Sequence, residues 1–264
     1  MRISRFRLVA IVLVLVVGGC AGQGGFLDDS YETTPTAAAF DVHGIDVSRY
    51  QGDIDWPAVR DSGVRFAWIK ATEGGDVVDA KFARNWNEAK AAGVARGAYH
   101  FAYWCRPMAE QAAWFKTNVP NDPDALPPVL DVEWNGHSRT CPKRVSREVA
   151  LAEMKVILAE MERAYGKRPV IYTAVDFHRD VLQGEFTDYP IWVRSVKYHP
   201  TVKYGARKWK FWQHTAEGRI GGIRGNVDRN VFNGSTKDWK VWLSSMTGPG
   251  RQAKRSDLVV ANGN

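Results

Sequence analysis

Two carboxylates, Asp131 and Glu133, stand two residues apart in the run Pro127-Pro128-Val129-Leu130-Asp131-Val132-Glu133-Trp134. The rest of the run is apolar and reads as a buried strand entered through two prolines. Side chains at i and i+2 of a strand share a face, so both acids meet one environment while Leu130 and Val132 meet the other. Two like charges that close cannot both ionise cheaply, and the drier one has its pKa raised. Hydrolysis of a glycosidic bond requires that asymmetry, since one carboxyl must hold a proton near neutral pH while a neighbour stays charged. An isolated Asp-x-Glu also arises where one acid pairs with an arginine or caps a loop. What else the chain brings to the pair therefore decides its meaning.

Short β-rich runs bounded by turn residues occur at 43–47, 66–71, 96–102, 129–133, 170–173, 191–193, 210–214 and 227–231. Helical spacing appears between them. Phe82, Trp86 and Ala89 mark a helix over 81–92 that Gly93 stops, 108–118 is a shorter one, and 146–165 is the longest. In the last, Ser146 is the N-cap, Glu148 lies in the first turn, Ala150, Met154, Ile157, Leu158, Met161 and Tyr165 form the apolar stripe, and Gly166 ends it. Alternating strands and helices over about 200 residues predict a single α/β domain, most simply a (β/α)-barrel with a parallel sheet. The links around strands six to eight are too short for full helices, which predicts an irregular barrel.

Sites in such barrels lie at the C-terminal ends of the strands. The polar residues late in these runs are Asp46, Lys70, Glu73, Tyr99, His100, Asp131, Glu133, Tyr172, Trp192, Arg194, Gln213 and Asp228. Four of them, Asp46, Asp131, Glu133 and Asp228, are carboxylates from three separate strands, a pattern suited to developing positive charge. Tyr99, Trp104, Tyr172, Trp192 and Trp212 lie near strand ends where a sugar face can stack. Tyr99 and Tyr172 are the strongest candidates because their hydroxyls can also bond sugar or carboxylate. Trp68, Trp86, Trp114 and Trp239 sit at core-like places. His100 reads as a hydrogen-bonded wall residue rather than a catalyst, and no second histidine stands at ligand spacing, so no metal is expected.

Seven ordered blocks carry a resemblance. Gly44-Ile45-Asp46-Val47-Ser48, followed by Tyr50-Gln51-Gly52 and Ile54-Asp55-Trp56, resembles the opening of the glycoside hydrolase family 25 lysozymes, the N-acetylmuramidases. Lys70-Ala71-Thr72-Glu73-Gly74, Gly97-Ala98-Tyr99-His100-Phe101, Leu130-Asp131-Val132-Glu133, Pro169-Val170-Ile171-Tyr172-Thr173, Trp212-Gln213-His214-Thr215 and Asn226-Val227-Asp228-Arg229-Asn230-Val231-Phe232 continue the pattern. The likeness spans about residues 44–233. It departs at Ile191-Trp192-Val193-Arg194-Ser195, where many members have Ala and then a Tyr-containing stretch. The resemblance implies a flattened, irregular barrel, no cofactor, and hydrolysis of the β-1,4 bond from N-acetylmuramic acid to N-acetylglucosamine in peptidoglycan. It places the general acid on Glu133, its partner on Asp131, and two further active-site carboxylates on Asp46 and Asp228. Substrate contacts are expected from Tyr99, Tyr172, Trp192, Gln213, Glu73, Lys70, His100 and Trp104. Attack by the sugar's own N-acetyl group, oriented by Asp131, would retain configuration, whereas a water activated by Asp46 or Asp228 would invert it; the former is favoured. Two rivals stand beside this reading: an inactive barrel that binds wall glycan, and a chitinase-like hydrolase.

The ends of the chain bear on location. Residues 1–7 carry three arginines and no acid, and 8–17 are an unbroken apolar run, too short to span a bilayer. Val17-Gly18-Gly19-Cys20 resembles a bacterial lipobox, so 1–19 is expected to be a lipoprotein signal peptide and Cys20 the lipidated residue. Ordinary secretion with Cys20 discarded is the alternative; both place the protein outside the cytoplasm. Ala21 after the cysteine favours the outer membrane in a Gram-negative cell. Residues 20–41 read as a flexible tether, 42–245 as the catalytic domain and 246–264 as a disordered basic tail. The formal charge of +7 loses the leader's three arginines to become +4. That excess suits a polyanionic wall or membrane surface and is too diffuse for nucleic acid. A monomer is expected. Cys105 and Cys141 fall in neighbouring loops and, in an oxidising compartment, read as a disulfide.

Overall fold

The computed structural model describes residues 35–247. The expected signal peptide, Cys20, most of the expected tether and the expected tail from residue 248 lie outside the described residues. Among the described residues no helix is long and apolar enough to cross a membrane. The strands are β1 (His43–Val47), β2 (Val64–Glu73), β3 (Val77–Val78), β4 (Ala95–Phe101), β5 (Val129–Val132), β6 (Val170–Thr173), β7 (Ile191–Arg194), β8 (Phe211–Gly218) and β9 (Val227–Phe232). Eight of them close a barrel in the order β1-β2-β4-β5-β6-β7-β8-β9, with β9 returning to β1, and the short β3 pairs with the end of β2.

The barrel is not wholly parallel. β1 to β8 run parallel in the wall, but β9 is antiparallel to both of its neighbours. A parallel return needs a crossover of a dozen or more residues, and only residues 219–226 separate β8 from β9. The expectation of an all-parallel sheet is corrected accordingly, and Asp228 reaches the mouth from the beginning of its strand rather than from its end.

Helices α1 (Trp56–Asp61), α2 (Phe82–Ala91), α3 (Met108–Asn118) and α4 (Arg147–Tyr165) cover one side. Ser146 caps α4 by accepting from the Val149 amide, and Gly166 ends it in the left-handed region at φ 64°. Its stripe from Ala150 to Met161 is buried. The links β6–β7 and β7–β8 hold only α5 (Val175–Phe177) with a following π turn, and α6 (Pro200–Tyr204). That is the irregularity their lengths imply. Helix α7 (Thr236–Met246), capped reciprocally by Ser235 and Asp238, was not read from the sequence. It closes the bottom of the barrel, where Trp239 meets Phe66 at 5.4 Å and Phe232 at 5.2 Å between ring centroids. Packing also begins before residue 42: Phe40 lies edge-on to Trp209, and Asp41 accepts from the Thr236 amide. Phe40 and Asp41, read as the end of the tether, are thus held against the domain.

Two cores follow from the strand period. Leu130, Val132, Ile45, Ile69 and Ile171 point outward beneath the helices, whereas Phe66, Trp68, Val129, Trp192, Phe211 and Phe232 fill the lower interior. The interior rings fit because glycines face them. A Cβ added to Gly44 would collide with the Phe66 ring, and one on Gly97 with the Trp68 ring and, at 3.0 Å, with Leu126 Cβ. Trp68 cannot retreat, being enclosed by Phe66, Trp192 and Phe211. Gly97→Ala is expected to destabilise the domain by about 2–3 kcal/mol, read as a lower urea midpoint with an unchanged slope.

Candidate active site

The alternation that puts Phe66, Val129 and Phe211 at the bottom lifts the residues two positions on into a second layer. Gly44 is followed by Asp46, Gly97 by Tyr99, Val129 by Asp131 and then Glu133, Val170 by Tyr172, and Phe211 by Gln213. All of these line one cavity of about 250 Å³ at the upper end, together with Ser48, Tyr50, Gln51, Lys70, Phe101, Trp192, Arg194 and Asp228. Asp46 and Asp228 are direct cross-strand partners. A larger cavity of about 660 Å³ lies at the opposite end, against the start of β7 and the end of β9. It holds only one acid, Asp188, which is paired with Arg168, so the acid–base chemistry lies at the smaller one.

A buried hydrogen-bond chain holds the Asp46 side. Tyr172 OH donates to Gln213 Oε1 at 2.9 Å, and Gln213 Nε2 donates to Asp46 Oδ2 at 2.9 Å. Asn230 Nδ2 donates to the same oxygen at 2.8 Å, while its Oδ1 accepts from Trp192 Nε1 at 2.8 Å. Each amide's orientation is set by its other partner. Two donors on one oxygen favour the anion, yet burial, reinforced by Asp228, outweighs them and pushes the Asp46 carboxyl well above its ordinary range.

The other pair is drier. Burial first, then the Glu133 carboxyl, raises Asp131 well above the usual carboxylate range, while Lys70 opposes the shift. Burial is also the main cause that raises Glu133, with Asp176 and Asp228 adding to it, and with Arg194 and a hydrogen bond from Asp131 pulling the other way. Desolvation rather than mutual repulsion thus dominates the proton's retention, and Asp131 and Glu133 compete for it as a pair. Asp131 Oδ1 is buried without a hydrogen-bond partner among the described residues. Asp228 is raised by burial and lowered by Arg194. Burial likewise raises Tyr99 well above its usual value, and Asp46, Asp131 and Asp228 add to the shift.

Of the residues singled out in the sequence, the structure brings Asp46, Asp131, Glu133, Asp228, Tyr99, Tyr172, Trp192, Gln213 and Lys70 together. Trp192 belongs to the floor, packed on Trp68 and only 2% exposed. Three expected substrate contacts lie outside the cavity lining. His100 lies on the opposite face of β4 from Tyr99, fully buried between Thr72 Oγ1 at 2.7 Å and Gln111 Oε1 at 3.0 Å. Its burial takes the imidazole down to about 4. Trp104 is buried against Phe177 and donates to the Glu133 carbonyl at 2.8 Å, so it steadies the backbone of the acid without reaching the cavity. Glu73 is held outside the lining by Lys70 and Tyr103. Asn230, Ser48, Tyr50, Gln51 and Phe101 were not anticipated; Asn230 had a signal, standing two residues from Asp228. A disulfide joins Cys105 and Cys141 in the loops that follow β4 and β5, with Cα atoms 5.8 Å apart.

Comparison with known proteins bears on this arrangement. Residues 45–223 match the family model described as glycosyl hydrolases family 25. Lysozyme M1 of Streptomyces globisporus is 38% identical over 234 residues, covering 83% of this chain and 77% of that protein. The crystal structure of a lysozyme from Streptomyces coelicolor superposes with a TM-score of 0.71 at 36% identity, over 79% of this chain and all of that one. A family 25 glycosyl hydrolase from Bacillus anthracis gives the same TM-score at 34% identity, over 78% of this chain and 95% of that one.

Proposed function

The chain belongs to family 25 of the glycosyl hydrolases, and from that premise we propose the following division of labour for a lysozyme that cleaves the β-1,4 bond between N-acetylmuramic acid and N-acetylglucosamine in peptidoglycan. The protein is a glycosidase. The observation that carries the assignment of roles is the single cavity shared by Glu133, Asp131, Asp46 and Asp228 above a filled barrel. Glu133, kept protonated by burial, gives its proton to the leaving oxygen and afterwards removes one from the incoming water. Asp131 orients the N-acetyl group of the substrate, which attacks the anomeric carbon. The unpartnered Oδ1 supports this, because a buried acceptor costs free energy until a donor reaches it, and the acetamido N–H is such a donor. Asp46 and Asp228, when ionised, supply negative potential for the oxocarbenium-like transition state. Tyr99 and Tyr172, both in the cavity lining, contact the sugar, and no cofactor is required.

Export, with a lipid on Cys20 anchoring the enzyme to a membrane, is part of the proposal. The Cys105–Cys141 disulfide supports an oxidising compartment.

Digestion of purified peptidoglycan followed by identification of the new reducing end tests the reaction. Muramic acid is expected; glucosamine would point to a different glycan hydrolase, and no new end to a binding barrel. Asp46→Asn and Asp228→Asn are each expected to lower kcat/KM by about 10- to 100-fold through lost transition-state stabilisation. Unaltered rates for both would remove these residues from the mechanism.

A further inference from the structure

The resemblance departs over Ile191-Trp192-Val193-Arg194-Ser195, at the end of β7. Arg194 belongs to the upper interior layer, since Trp192 two residues before it forms the cavity floor and Arg194 itself lines the wall. The two cations of that wall differ in their commitments. Lys70 is paired with Glu73 at 2.5 Å and lies 4.9 Å from the Phe101 ring centre. The Arg194 guanidinium has no ion pair and no side-chain hydrogen bond among the described residues; its carbonyl accepts from Tyr204 OH at 2.7 Å, and its backbone pairs with β8. It is nevertheless close enough to Glu133 and Asp228 for its charge to favour their anions.

An unused guanidinium fork beside the reacting carboxyls is matched to a planar, anionic group on the substrate. Peptidoglycan offers one next to the bond that is cut. Muramic acid differs from glucosamine by a lactyl ether whose carboxyl is joined through an amide to the stem peptide. Amide hydrolysis adds water across that bond, frees the peptide's amine and leaves a carboxylate on the sugar. In a mouth holding four acids, such a carboxylate is repelled unless a cation receives it.

We propose that Arg194 receives the free lactyl carboxylate of muramic acid, so that this enzyme prefers glycan from which an amide hydrolase has already removed the stem peptides. The preference rests on the muramidase reading above and places the enzyme after the amidase class of reaction in wall breakdown. Arg194 is a specificity-determining residue rather than a proton carrier.

Peptide-free glycan strands with free lactyl carboxylates, and the same strands with those carboxylates converted to neutral methylamides, form the test pair. The readout is kcat/KM from new reducing ends for the wild type, Arg194→Ala and Arg194→Lys. The wild type is expected to favour the free carboxylate by about tenfold, the usual scale of one charge-assisted contact. Arg194→Ala should bring the ratio to about one or below, chiefly through KM, and Arg194→Lys should keep part of it. A wild type indifferent to the methylamide, or an Arg194→Ala variant that slows on both strands while preserving their ratio, overturns the proposal and leaves the muramidase reading standing. Failure of the wild type to cut either strand overturns both.

Discussion

Glu133→Gln is expected to lower kcat by about 10³ with little change in KM, because the amide keeps the shape of the side chain and cannot give up a proton. The same substitution is expected to make the protein more stable at neutral pH. Glu133 has its folded-state pKa raised by burial. A raised group contributes most at low pH, and its contribution is lost as pH rises through the folded value. At neutral pH the native enzyme therefore bears the cost of holding a proton that the unfolded chain releases, and a neutral amide does not. The melting temperature should rise by about 2–4 °C, the shift that about 1 kcal/mol produces in a domain of this size. Activity carries the same sign. The general acid must be protonated, so kcat/KM falls as pH rises through the raised value, and the alkaline limb lies above the ordinary glutamate range. Near-native turnover in the variant, with its fold intact by circular dichroism, would remove Glu133 from the acid's role.

Asp131→Asn is expected to lower kcat by about 10²–10³, because the carboxyl that orients the substrate's N-acetyl group is lost. Substrate assistance gives a second readout. The wild type should cut de-N-acetylated glycan about 100-fold more slowly than acetylated glycan, and Asp131→Asn should narrow that gap because the group it orients is already missing. The first product anomer should be the β form. An α product, with little penalty for de-N-acetylation, would shift the reaction to direct attack by a water held at Asp46 or Asp228.

Much of the site was legible because the strand period is two. Asp131 and Glu133 announce one face and Leu130 and Val132 the other, and the interior layer and outer core divide along that line. The same rule, applied to Tyr99 and His100, would have sent the histidine outward; adjacent strand residues cannot share a mouth. Asp228 was assigned to the correct end for the wrong reason. Residues 219–226 are too few for a crossover, and the consequent reversal of β9 brings the start of the strand, not its end, to the cavity. Trp104 sits in a loop without periodicity, so nothing local separates an exposed platform from a ring buried on Phe177. Helix α7 had its signal in Ser235 and Asp238, a reciprocal cap preceding Trp239. Charge repulsion between Asp131 and Glu133 could be read from spacing; the larger effect, removal of both from water, depends on how tightly the rest of the chain encloses them.

The most direct test of the account is a carbon-13 NMR titration of the Glu133 side-chain carboxyl, assigned by its loss in Glu133→Gln and followed alongside the pH dependence of kcat/KM. This carboxyl is expected to titrate above the ordinary glutamate range, with a midpoint that coincides with the alkaline limb of activity. A carboxyl already ionised where the enzyme is fully active would contradict it.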